Sequence, residues 1–113
     1  MDDCIFCRIA RGEISSDVVL EDDDFVAFRD LNPKASEHLL VIPREHLVSM
    51  NDLEERAEGT GGALLKFIVR AADRAGIKDT GYRVITNVGE DGRQEVRHLH
   101  FHVLGGERLG DFT

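Results

Sequence analysis

From His98 to Val103 the side chains alternate strictly, with His98, His100 and His102 at every second position and Leu99, Phe101 and Val103 between them. An extended strand repeats every two residues, so the spacing predicts a strand over 96–104 with three imidazoles on one face and apolar groups on the other. Four more strands are predicted. Residues 17–21 and 25–29 should form a hairpin turning through the acidic run Glu21-Asp22-Asp23-Asp24, while His38–Pro43 and Tyr82–Val88 are rich in strand-favouring residues. Between them, 31–36 reads as loop because the residue before Pro33 disfavours helix.

Helical spacing of Ile5, Phe6 and Ile9 predicts a short helix between Asp3 and Gly12. Asn51 with Glu54 three residues on has the spacing of a capping box, so a helix should begin at Asp52 and be interrupted by Gly59-Thr60-Gly61-Gly62. The main helix then follows through Leu64, Leu65, Ile68, Val69, Ala72 and Ala75, with Gly76 placed to end it. Strands in series with one inserted helix imply an α+β domain whose antiparallel sheet is covered on one face. Leu99, Phe101 and Val103 would meet the helix, and the histidine face would stay open.

At 113 residues the chain is long enough for one domain, 1–113, and too short for two. Its 42% apolar and 32% charged residues are those of a soluble globular protein, and no apolar run reaches the roughly 20 residues of a membrane span. The acidic start Met1-Asp2-Asp3 is unlike a secretory signal, so a cytoplasmic protein without a membrane partner is expected. A net charge of -8 argues against a nucleic-acid polymer, since such binding needs clustered cations. One phosphate in a local pocket of imidazoles and amide groups remains compatible with that charge.

Three same-face imidazoles allow one ring to act on a substrate while its neighbours bond the same group, and they also allow metal ligation. Cys4 and Cys7, in Cys-Ile-Phe-Cys, read as a redox pair, a metal hook or two buried thiols. The redox arrangement wants a strand before the first cysteine, and none is predicted; a hook needs two further ligands.

His98-Leu99-His100-Phe101-His102-Val103-Leu104 resembles the signature of the histidine triad (HIT) superfamily. The likeness extends over Cys4–Ile9, Glu21–Asp23, Phe28–Pro33, His38–His46, Gly81–Asn87 and Gly92–Gly106, and Leu104-Gly105-Gly106 is similar to the Hint branch. The resemblance implies a two-layer α+β protomer whose five-stranded sheet joins a partner's into a ten-stranded homodimer. It also implies hydrolysis of purine nucleoside phosphoramidates, of the adenosine 5'-monophosphoramidase type, through a nucleotidyl-histidine. By the same resemblance His100 is the nucleophile, its other ring N–H held by a backbone carbonyl near His98. His102 would donate to a phosphate oxygen, and His38 would be the family's fourth histidine. Asp30 would take the ribose hydroxyls, Phe28 and Leu31 would line the base pocket, and Asn87, Arg93, Gln94 and Glu95 would lie near phosphate and leaving group.

The resemblance further implies a structural zinc on Cys4, Cys7, His46 and His98, a closed Cys₂His₂ set. Two departures stand out: Arg93 where many Hint proteins have Gly, and Glu95 where eukaryotic ones have Ser. Glu95 either recognises a cationic leaving group or faces solvent. A dinucleoside polyphosphate hydrolase of the Fhit type is the alternative compatible with Gln94, and a nucleotide-binding or zinc-dependent interaction module with little turnover is the other. Gly105-Gly106 and the short C-terminus favour the phosphoramidase, His102 speaks against the transferase branch, and 107–113 is where selectivity should vary.

Overall fold

In the computed structural model, which describes residues 3–111, strands β1 (Val18–Glu21), β2 (Phe25–Arg29), β3 (Glu37–Pro43), β4 (Tyr82–Ile85) and β5 (Phe101–Gly105) form one sheet. Every neighbouring pair is antiparallel and the spatial order is β1-β2-β3-β5-β4. The class expected from the pattern is therefore the class observed. Met1, Asp2, Phe112 and Thr113, the ends of the domain drawn over 1–113, lie outside the described residues.

The β1–β2 hairpin turns on its acids because Asp22 accepts two backbone bonds, from the N–H groups of Asp24 and Phe25, at 2.8 Å each. Such Asx bonding satisfies donors that the turn leaves outside the ladder. Helix α2 (Thr60–Arg74) lays Leu64, Phe67, Ile68, Ala71 and Ala72 on a core with Ala27, Leu39, Val41, Leu99, Phe101 and Val103. The opposite face of the sheet, Val26, Phe28, Leu40 and Ile42, packs on Phe6 and Ala10 of the short helix α1 (Ile5–Ala10). Burial on both faces explains why β2 and β3 read as nearly continuous apolar runs.

Several boundaries differ from the sequence expectation. The glycine run starts α2 instead of interrupting a longer helix: Gly59 is its N-cap, and Gly61 and Gly62 lie in the first turn. Each glycine costs at most about 1 kcal/mol there, whereas burying Leu64, Phe67 and Ile68 contributes about 1.5–3 kcal/mol apiece. The buried stripe is Leu64, Phe67, Ile68, Ala71 and Ala72, while Leu65 is 60% exposed and Val69 lies at the solvent edge. Ahead of α2 there is a 3-10 turn over Met50–Glu55, whose capping box is built from Ser49 and Asp52 instead of Asn51 and Glu54.

The predicted strands at 82–88 and 96–104 are shorter, at Tyr82–Ile85 and Phe101–Gly105. His98 and His100 thus precede the ladder. Their backbone is held from elsewhere: the Leu99 N–H donates to the Leu47 carbonyl at 2.6 Å, and the Thr86 hydroxyl donates to the His100 carbonyl at 2.8 Å. Nor is the histidine face open along its whole length: His102 is half-exposed, but its two neighbours are covered. Phe6 meets the rings of His98 and His100 edge to face, with centroids 5.9 and 5.1 Å away, and both histidines are buried.

Candidate active site

At the start of β5 the tautomers of four histidines follow from their neighbours. His98 Nε2 lies 2.8 Å from the Pro43 carbonyl oxygen, and His100 Nδ1 lies 2.8 Å from the His98 carbonyl oxygen. A carbonyl only accepts, so both of these nitrogens carry the proton, and in the neutral form of each ring the lone pair is on the other nitrogen. For His98 that lone pair is on Nδ1; for His100 it is on Nε2. The carbonyl acceptor for the central imidazole is thus supplied by the first histidine of the triad itself.

His38 works in the opposite sense. The Lys34 N–H donates to its Nδ1 at 3.0 Å, which leaves Nε2 as the donor to His102 Nδ1 at 2.9 Å. His102 then presents Nε2–H as a free donor on the same side as His100, whose ring centroid is 5.2 Å away. Burial, followed by repulsion from His100 and His38, holds the His102 imidazolium down to about 4, so the ring is neutral at pH 7. Burial also lowers His38, against the opposing pull of Asp30, whose Oδ2 is 3.5 Å from His38 Nε2. Asp30, His38 and His102 bring three possible ligand atoms together, and among them His38 Nε2 and His102 Nδ1 share a hydrogen bond of 2.9 Å.

Behind the triad, Cys4, Cys7, His46 and His98 bring four ligand atoms within 4.8 Å of one another. His98 Nδ1 is 3.3 Å from Cys4 Sγ and 3.5 Å from Cys7 Sγ, and His46 Nδ1 is 3.1 Å from Cys7 Sγ. A tetrahedral ion with thiolates at about 2.3 Å and imidazoles at about 2.0 Å separates sulfur from nitrogen by about 3.5 Å, so the set has the right size. The chemistry also fits. The Pro43 carbonyl orients His98 so that its lone pair faces the thiols, as an outer-shell partner does for a metal-bound imidazole. Burial, and then Cys4 beside it, raises the Cys7 thiol above its ordinary value, a penalty that a divalent cation would offset.

The remaining candidates are spread around this centre. Asp30 Oδ1 accepts from the Asn32 N–H at 2.9 Å, which orients the carboxylate beside His38. Phe28 is a buried floor residue, edge-on to Phe6 at 5.8 Å, and Leu31 is 94% exposed. Asn87 Nδ2 donates to the Gly92 carbonyl at 2.8 Å. The buried Gln94 amide is spent on backbone: Nε2 donates to Val48 and Val96, and Oε1 accepts from Gly89. It fastens the 89–94 turn to the segment after β3. Arg93 and Glu95 are exposed on that turn, Arg93 with a φ of 60°.

The His98 carbonyl lies where the resemblance put an acceptor for His100, whereas other groups that carry no residue identity escape a reading of the sequence: the Lys34 amide and the Pro43 and Leu47 carbonyls. Thr86 and the Ser36–Glu107 contact were missed as well, because nothing in their local sequence marks them. A depression of about 420 Å³ lined by Phe25, Leu47, Leu53, Leu64 and Leu99 lies on the α2 side of the sheet. It contains no imidazole or thiol, so the chemistry places the candidate site at the histidines.

A two-layer α+β fold with a buried central imidazole whose Nδ1 is held by a backbone carbonyl defines the class of protein. The HIT domain model matches residues 11–109, and the chain belongs to the HIT family. Cys4 and Cys7 fall outside the matched segment. Among its relatives, the purine nucleoside phosphoramidase of Escherichia coli K12 is 41% identical over 109 residues, covering 96% of this chain and 92% of that one. An uncharacterized 13.2 kDa HIT-like protein of Azospirillum brasilense is 47% identical over 107 residues, covering 94% and 88%. The structure of a histidine triad protein from Clostridium difficile superposes with a TM-score of 0.92 at 45% identity, covering 100% of this chain and 98% of that one. A HIT family hydrolase from Legionella pneumophila gives 0.86 at 40% identity, with 96% of each chain covered.

Proposed function

We propose that this chain, a nucleotide hydrolase of the HIT family, cleaves purine nucleoside phosphoramidates and forms a nucleotidyl-histidine on His100. The observation that carries the reading is the 2.8 Å contact between His100 Nδ1 and the His98 carbonyl, which puts the proton of the neutral ring on Nδ1 and its lone pair on Nε2, the atom that attacks. Nε2 attacks the α-phosphorus, the P–N bond breaks, and the amine leaves with a proton taken from solvent, which the water of the second step gives back. Water then attacks the phosphorus, the P–Nε2 bond breaks, and the nucleoside monophosphate departs.

The neighbours have distinct work. The Nε2–H of His102 donates to a non-bridging oxygen as charge gathers there, an electrostatic role that requires the ring to be neutral and fixed beforehand. His38 supplies that fixation. Asp30 suits the ribose hydroxyls because a carboxylate accepts two bonds, with Phe28 and Leu31 beside the base. Asn87, Arg93 and Glu95 border the phosphate and leaving group, and Gln94 acts through the turn that carries them.

The Cys4, Cys7, His46, His98 set would hold zinc as a structural ion, tying α1 to the peptide that orients His100. Thiols kept for a metal suit a reducing compartment, in keeping with the cytoplasm. A homodimer with a continuous sheet is the assembly we assign.

The test is hydrolysis of adenosine 5'-phosphoramidate by wild type and His100→Ala. The variant should lose at least about 10³-fold in kcat/KM, and quenching wild type with denaturant at alkaline pH, where a P–N bond to imidazole survives, should trap AMP on His100. Equal turnover by both proteins would refute the enzyme assignment. AMP binding without turnover by either would leave a binding module, and faster cleavage of dinucleoside polyphosphates would favour the Fhit type of activity.

A further inference from the structure

The segment after β5 returns to the loop between β2 and β3. Gly106, with a φ of 82°, brings the chain so close to this loop that an added Cβ would stand 3.1 Å from Ser36 Cβ and 3.3 Å from the Glu37 backbone nitrogen. Glu107 follows immediately. Its Oε1 accepts two bonds from one residue, from the Ser36 N–H and from the Ser36 hydroxyl at 2.8 Å. These two bonds hold the carboxyl below the usual carboxylate range, so the acceptor is fully ionised at neutral pH.

What Ser36 carries explains the consequence. It sits two residues from Lys34 and two from His38, in a run of bends before β3. The Lys34 N–H is the group that makes His38 Nδ1 an acceptor, and hence Nε2 the donor to His102. If the loop shifts and this amide withdraws, the His38 proton is free to sit on either nitrogen. His102 then loses the donor on its Nδ1, and with it the reason to keep its own proton on Nε2. Within itself the loop is held by the Asn32 N–H to Asp30, by the Lys34 ammonium to the Asn32 carbonyl at 3.1 Å and by the Asp30 N–H to the His38 carbonyl at 2.9 Å, and Glu107 is a clamp from outside it on the Ser36 side.

We infer that Glu107 is a positioning residue for His102: by bonding both donors of Ser36 it holds the loop whose Lys34 amide fixes the His38–His102 tautomer chain. This rests on the proposed function only for its kinetic consequence. The tautomers themselves can be read without substrate, so the two ideas fail separately.

The experiment is ring ¹⁵N NMR of the full chain, comparing wild type with Glu107→Ala, Glu107→Gln and Ser36→Ala. In wild type, His38 should report an unprotonated Nδ1 and protonated Nε2, and His102 the same. Glu107→Ala should move both rings toward mixed tautomers and lower kcat on adenosine 5'-phosphoramidate severalfold, with KM within about twofold of wild type. Glu107→Gln keeps an oxygen that can accept both bonds and should return the ring signals and kcat to near wild type. Ser36→Ala keeps the N–H bond and should show a smaller change in the same direction. Wild-type ring signals in Glu107→Ala overturn the inference, as do Gln signals as disturbed as those of Ala. Should Glu107→Ala fail to fold, unchanged rings in Ser36→Ala overturn it. If no variant or wild type turns over the phosphoramidate but the rings respond as described, the positioning role stands and the substrate assignment falls.

Discussion

At the scale of single residues, the turn bordering the site puts two adjacent positions under opposite demands. Gly92 must lack a side chain because a Cβ there would collide with the Val88 carbonyl oxygen, a backbone atom that cannot move aside. Arg93 next to it holds a φ of 60°, the left-handed region that disfavours any residue with a Cβ. A side chain at this position therefore carries a backbone cost of about 1 kcal/mol relative to glycine. We expect Gly92→Ala to lower unfolding free energy by at least about 2 kcal/mol, and Arg93→Gly to leave it unchanged or raise it by up to about 1 kcal/mol. Urea titration at constant slope checks both, and a clear loss in Arg93→Gly would mean that the guanidinium makes a stabilising contact.

His102 sets a second prediction at this scale. Its folded pKa, about 4, lies below the ordinary value of 6.5, so between those limits the unfolded chain binds a proton that the folded chain does not. Stability therefore rises with pH across that window and falls as the solution is acidified through it. His38, Asp30, Lys34 and His100 surround the ring and stay in place in His102→Gln. That variant should lose less stability than wild type between pH 7 and pH 4.5, measured by denaturant unfolding at fixed ionic strength. Parallel losses would show that the ring is protonated in the folded protein.

At the scale of elements, what a local pattern specifies was legible and what distant backbone supplies was not. β2, β3, the acidic hairpin and the core-facing half of α2 follow from period and turn chemistry, because their partners are determined by which face is apolar. The ends of β4 and β5 are set instead by Leu47 and Thr86, which bond the backbone of 99–100 from far away in sequence. Likewise His98, His100 and His102 could be named from their alternation, but the Lys34 amide and Pro43 carbonyl that fix their tautomers have no signature in the sequence. The covering of the histidine face by Phe6 belongs with these, since six residues of helix give little sign of where they dock.

That helix depends on its anchors. α1 is far shorter than the roughly 12 residues an isolated helix needs, so it persists through Phe6 and Ala10 in the sheet, the Arg44 bond to the Ala10 carbonyl, and the thiols beside His46 and His98. If zinc joins the thiols to the imidazoles, removing it should release α1 from the catalytic segment. A strong chelator should then lower Tm by at least about 5 °C and speed hydrogen exchange at the Arg8 and Arg11 amides, which bond the Cys4 and Cys7 carbonyls. Metal analysis before and after provides the control. An unchanged Tm after complete removal would assign the anchoring to Phe6 and Arg44 alone.

At the scale of the whole molecule, the two edges of the sheet are finished differently. β1 carries a register irregularity between Val18 and Leu20 and is flanked by Asp17 and Asp22, and the Arg74 guanidinium reaches its Val19 carbonyl at 3.5 Å. Irregularity, charge and a covering side chain are the devices that keep an edge from pairing with another chain. β4 has a regular register with β5, and its Val84 is 40% exposed on the face that α2 covers at the other end, where it packs on β1 and β2. An uncovered apolar side chain on a regular edge suits pairing with a second copy, and that edge is where we place the ten-stranded sheet. Antiparallel pairing about a two-fold axis would bring the two copies of Val84 near each other, so Val84→Lys sets like charges close across the interface. Sedimentation should find wild type dimeric and Val84→Lys monomeric at micromolar concentration, while Val18→Lys, on an equally exposed valine of β1, stays dimeric. The reverse pattern would move the interface to β1, and two dimeric variants would place it off the sheet edges altogether.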